Sequence, residues 1–160
     1  MKNISSALLI SALAFNYSCT TMKTNDIKQE MPVPDASLSS NPFMKKSKLQ
    51  YETPEFDKIK NEHFKPALLE GIKIHQQEID AITNNPAKPT FDNTILALEN
   101  SGQLLNRVAT VFSNLSSANT NDQLQAIAQE MAPISSKHND NINLNEKLFA
   151  RVKAVWEARK

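Results

Sequence analysis

Three histidines, one cysteine and a few clustered carboxylates carry most of the chemistry open to this 160-residue chain. A zinc helix of the H-E-x-x-H type sets two imidazoles on one helical face, with a glutamate beside them as general base. His63, His75 and His138 contain no such pair. His75-Gln76-Gln77-Glu78 begins like the inverted motif H-x-x-E-H, but Ile79 stands where the final histidine belongs. No local motif therefore makes a metal site. The three histidines could meet only across helices. The simpler expectation is that His75 and His138, which lie on apolar stripes, are packed and hydrogen-bonded.

Other chemistries fare no better. There is no G-x-S-x-G, and the sole cysteine, Cys19, sits near the N-terminus rather than among partners that would activate a thiol. The chain has two glycines, Gly71 and Gly102, too few for a G-x-G-x-x-G or a P-loop. Glu70, Glu78 and Asp80, and further on Asp122 and Glu130, read as solvated helix faces rather than acid–base pairs. Eighteen Lys and Arg against seventeen Asp and Glu leave a formal charge of +1, which argues against a nucleic-acid partner. Lys45, Lys46 and Lys48 form one small basic cluster, read as a solubilising arm. No catalytic and no metal-binding residue is assigned.

The elements that hold these residues are helical. Few glycines and few aromatics disfavour a sandwich or barrel. Leu68, Ile72, His75, Ile79 and Ile82 recur at three and four, predicting a helix that starts near Lys65, with Pro66 at its first turn, and stops before Pro86. A second helix follows Lys88–Thr94, capped by Thr90, Asp92 or Asn93. It runs through Gly102 to Leu115, with Gly102 and Ala109 on its buried face to admit a close neighbour. Thr120-x-x-Gln123 is a capping box for a third helix. Its stripe is Leu124, Ile127, Met131, Ile134, His138 and Ile142, and Pro133 should kink or split it. A fourth helix follows Asn143 or Asn145, with Leu148, Val152, Val155 and Arg159 on one line and Trp156 as a core anchor. Residues 41–57 read as an extended arm laying Phe43, Leu49, Tyr51 and Phe56 on the helical body. The fold class is all-α, with antiparallel helices.

The N-terminus reads as an address. Lys2 precedes the apolar run Ala7–Phe15, the length of a signal-peptide core and too short for a permanent span. Residues 1–18 then end at Ser18, directly before Cys19. This resembles a bacterial lipoprotein signal, with Cys19 the lipidated first mature residue, although Asn16 stands where an aliphatic residue is usual. An ordinary secretory signal cut nearby is the alternative. Either way the chain is exported, periplasmic or held at a membrane by a lipid anchor. Residues 19–40 are polar, contain Pro32 and Pro34, and read as a flexible linker.

Several stretches together carry a resemblance. They are NPF at 41–43, FDKIKNEHFKPAL at 56–68, EIDAI with NNP at 78–86, PTFDNTILALENSGQLLNRVATVFSNLSSANTND at 89–122, EMAP at 130–133 and LFARVKAVW at 148–156. From Asn41 to Lys160 the chain resembles the N-terminal part of the thimet-oligopeptidase-like zinc metallopeptidases, in the branch of the bacterial peptidyl-dipeptidases. The resemblance implies that region 41–160 is the leading helical portion of a longer, mostly helical enzyme. Such an enzyme encloses a channel for short peptides and removes dipeptides from free C-termini. Zinc would be held by H-E-x-x-H and a downstream glutamate, none of them within these 160 residues. The expectations are then an N-terminal fragment, inactive alone and binding no zinc itself, whose partners are short peptides, a catalytic C-terminal region and a membrane. The unfinished periodic pattern at Lys160 fits that reading. A free-standing helical lipoprotein, acting as a binding or interaction module, is the alternative.

Overall fold

The computed structural model describes residues 38–159. The signal expected at 1–18, Cys19, most of the linker expected at 19–40 and Lys160 lie outside the described residues. Among the described residues the regular structure is helical throughout, and no helix is long and apolar enough to cross a membrane.

Helix α1 spans Phe64–Thr83 and is the element around which the others assemble. A single 3-10 turn, Asn61–His63, leads into it. Pro66 sits in the first turn, where an N–H would have no intrahelical acceptor. At the far end the Asn84 N–H closes back on Asp80 O, and Pro86 prevents any continuation.

The predicted second helix is two pieces. Thr90 caps a π-helical segment, Phe91–Leu96, its hydroxyl accepting from the Asn93 N–H while the Asn93 side chain accepts from the Thr90 N–H. One α-helical turn, α2 (Ala97–Glu99), follows, and the chain then breaks at Asn100–Gly102 before α3 (Gln103–Ala118). Gly102 is at φ +69°, a left-handed conformation that ends one helix and starts the next. The close helix approach expected at Gly102 is made instead by Gly71. A Cβ there would lie 2.9 Å from Leu105 Cα, so α1 and α3 meet backbone to backbone. Periodicity could not distinguish these roles, because a glycine that breaks a helix and one that admits a neighbour leave the same mark in a stripe.

Helix α4 spans Asp122–Asn143 and α5 Glu146–Ala158. Asn121, one residue beyond the expected Thr120, caps α4 by accepting from the Leu124 N–H. Asn145 caps α5 in the same way through Leu148. Pro133 does not split α4, which runs through it as one helix. The proline and Gln129, whose carbonyl it cannot bond, both lie on the exposed face, where water can take the acceptor.

The core joins α1, α3 and α4: Phe64, Ala67 and Leu68 meet Val108, Val111, Leu124, Ile127 and Met131. Phe64 is fully buried, and its ring stands 5.2 Å from those of both Phe43 and Phe112, centroid to centroid. Of Phe43, Leu49, Tyr51 and Phe56 only Phe43 is buried, with Met44 packed partly beside it and Asn41 behind it donating to His63 O at 2.9 Å. Leu49 and Phe56 are half exposed, and Tyr51 is 89% exposed, so the arm does not lie down along its length. Trp156 is likewise no core anchor: it is 63% exposed, with the Arg159 guanidinium over its ring. One residue turns about 100° around a helix, so Trp156 and Phe149 face away from the buried line of Leu148 and Arg151.

Candidate functional site

A polar relay joins α1 to α4 on one side and to the 98–102 turn on the other. His75 comes from the second half of α1, and its half-buried ring meets that of His138 on α4, which is 4% exposed. His138 Nε2 is 3.0 Å from His75 Nδ1, and the rings are edge to face at 5.0 Å. On its other side His75 Nε2 is 3.2 Å from Ser101 Oγ. Ser101 Oγ donates to Leu98 O at 2.6 Å. One residue on, the Gly102 N–H donates to Glu78 Oε2 at 2.7 Å. Gly102 has no room for a side chain, because a Cβ would lie 2.9 Å from the His75 ring.

The direction of the relay follows from the serine. Its only hydrogen is committed to a carbonyl that can only accept, so Oγ must accept from His75 Nε2–H. His75 Nδ1 is then bare and accepts from His138 Nε2–H. This polarity is opposite to that of an activated nucleophile, where the histidine takes the hydroxyl proton. The relay thus positions the turn; it does not prepare Ser101 to attack. Burial holds both histidines below the usual histidine range. Glu78 works in the other direction at His75, and His75 adds to the depression at His138.

Of the histidines read from the sequence, two are brought together and one is not. His63 turns its Nδ1 to the Lys60 N–H at the start of α1. Among the described residues no cluster of three or more His, Cys, Asp or Glu side chains is placed to hold a metal. His75 and His138 are packed and hydrogen-bonded as expected. Glu78 was read as a solvated carboxylate and is instead an acceptor for the turn. Ser101 was not singled out at all, since a serine beside a glycine carries no periodic signal.

A second node ties α5 to the 84–93 loop. Arg151, 8% exposed, gives Nη1 to Asn85 O at 2.8 Å and Ala87 O at 3.3 Å, and Nη2 to Asn93 Oδ1 at 3.0 Å. All three acceptors are amide oxygens. The guanidinium is a clamp on the loop's backbone, held in the fork geometry that lysine lacks.

No protein-family model matches the sequence. Individual proteins do. Over 122 residues the chain is 47% identical to the dipeptidyl carboxypeptidase of Salmonella typhimurium, covering 76% of this chain and 18% of that protein. Over 119 residues it is 48% identical to the dipeptidyl carboxypeptidase of Escherichia coli, covering 74% of this chain and 18% of that one. The likeness marks the chain as a dipeptidyl-carboxypeptidase-like segment. Oligopeptidase A of Escherichia coli is more distant, 23% identical over 99 residues, or 62% of this chain and 15% of that protein. As a dipeptidyl carboxypeptidase relative, the chain matches 18% of the length of the first two proteins. The two nodes are therefore features of a segment.

Proposed function

We propose that the chain is the leading helical part of an exported zinc dipeptidyl carboxypeptidase. It builds one wall of a channel for short peptides and supplies no chemistry of its own. The observation that carries this reading is the 47–48% identity to two dipeptidyl carboxypeptidases over some three quarters of the chain. The 160 residues contain no H-E-x-x-H, and the relay polarity at Ser101 offers no nucleophile. Zinc, the general base and the dipeptide specificity then belong to sequence outside these residues. Removing such a constellation costs many orders of magnitude in rate, so the chain alone is inactive. The outward Leu144, Phe149 and Trp156 are suited to packing inside a larger helical body. Export by the signal at 1–18 and lipidation at Cys19 complete the reading.

A chimaera tests it. The matched stretch of the Escherichia coli enzyme is replaced by that of this chain, and release of C-terminal dipeptides from a short peptide is followed. Retained release is expected, and a folded but inactive chimaera overturns the proposed role. The isolated 160 residues with added zinc should release none; release would overturn their inactivity. Cys19→Ala should move the protein out of the membrane fraction, and unchanged retention overturns the anchor.

A further inference from the structure

The relay beside the second half of α1 has an unusual property: its order depends on the number of protons it holds. With both histidines neutral, every donor meets an acceptor. His138 donates to His75, His75 to Ser101, and Ser101 to Leu98 O. One added proton leaves the order intact, because a charged His138 still donates from Nε2. A second proton does not. Two N–H groups would then face each other across 3.0 Å with no acceptor between, on two cations whose ring centres are 5.0 Å apart. Such a pair titrates as one unit in two steps.

The surroundings offer limited relief. Glu78, one turn along α1, is the charge acting on His75, and its Oε2 already accepts from the Gly102 N–H. His138 is acted on by His75. The charged neighbours Lys137 and Asp140 on α4, and Glu99 on the turn, are exposed. Of the cations of α5, Lys147 and Arg151 are engaged at the far end of α1, on Asn84 and Asn85, and Lys153 pairs with Glu157. The turn itself, with Gly102 left-handed and Ser101 hydroxyl-bonded, is held to α1 by these contacts, and His138 of α4 reaches it only through His75. Ser101 also lines an open groove with Lys46, Glu52, Glu99 and Arg107.

We propose that the His75–His138 pair is an acid-operated latch: it holds the 98–102 turn, and with it one wall of the adjoining groove, against α1 at neutral pH, and releases the turn when the pair takes up its second proton. The chain holds only two glycines, so 15N-glycine labelling of the 160-residue protein gives two amide probes. Gly102 reports the latch through its bond to Glu78, and Gly71 reports the interior of α1. Between pH 7 and pH 5 the exchange protection of Gly102, corrected for intrinsic rates, is expected to fall at least about tenfold while that of Gly71 holds. In His138→Gln, whose amide can donate to His75 without titrating, Gly102 should stay protected at pH 5. Protection that is flat at both glycines, or that falls equally at both, overturns the latch. So does loss of Gly102 protection in a folded His138→Gln protein at pH 5 as large as in the parent. Should that variant not fold, imidazole 15N shifts of the parent chain decide. Two separated steps with a neutral Nε2–H form of His75 at pH 7 support the latch. Two independent titrations near the ordinary value of about 6.5 overturn it.

Discussion

The two halves of α1 are secured by opposite chemistries. At the first turn Phe64 is buried among Phe43, Phe112 and the aliphatic residues of α3 and α4. Three turns later His75 is held by a serine and a second histidine, and Glu78 by a glycine amide. The aromatic half depends on volume and is indifferent to protons. The histidine half gives up apolar burial for directional bonds, and those bonds depend on which nitrogen carries hydrogen. One helix can thus be firm in one half and conditional in the other, because burial of carbon is non-directional and burial of imidazole is not.

Changes that respect or violate this contrast can break it. The largest effect is expected from Phe64→Ala, a loss of roughly 3–5 kcal/mol that is the same at pH 7 and pH 5.5. Urea unfolding at both values checks it, and a strongly pH-dependent loss would remove the distinction between the halves. Gly71→Ala comes next. Alanine improves helix propensity by about 1 kcal/mol, but its Cβ meets the Leu105 backbone, which cannot rotate away. A net loss of about 1–3 kcal/mol is expected, and a more stable variant would show that α1 and α3 have slack.

The histidine half should show a smaller effect in the parent chain, visible only as pH changes. Both imidazoles are held below the ordinary value, so the unfolded chain binds protons more readily. Their stabilisation is complete above about pH 6.5 and is lost as pH falls from there through the depressed folded values. The urea midpoint should fall over that window, and His138→Gln should flatten the slope. A midpoint that rises on acidification would reverse the assignment. Trp156→Gln is the smallest, within about 0.5 kcal/mol in either direction, since the indole is mostly exposed. A loss of several kcal/mol would return Trp156 to the core.

Much of this architecture could be read from residue spacing. The stripe of Leu68, Ile72, Ile79 and Ile82 gave α1 to within a residue or two, and Thr90, Asn145 and Pro86 marked boundaries that the structure keeps. Spacing failed where one residue type serves two ends. Gly102 was placed inside a continuous helix, yet its left-handed backbone divides α2 from α3. Trp156 was placed inward on hydrophobicity alone, though its position on the helix wheel puts it with Phe149 outside. The histidine relay was half legible. The packing of His75 and His138 followed from their stripes, but Ser101, 26 residues from His75, had no signature linking the two.

Local rules are short-ranged, and what they governed here was local: where helices begin and end, which faces are apolar, and that no zinc motif, nucleophile motif or phosphate loop lies in these residues. The likeness to dipeptidyl carboxypeptidases was also carried in the linear order of residues, because it is a likeness of order. Which glycine admits a helix, which histidines meet, and which way their hydrogens run depended on contacts between residues far apart in the chain. Those are set when α1, α3 and α4 close on one core, since only then does a Cβ find another backbone at 2.9 Å or an imidazole find its acceptor at 3.0 Å.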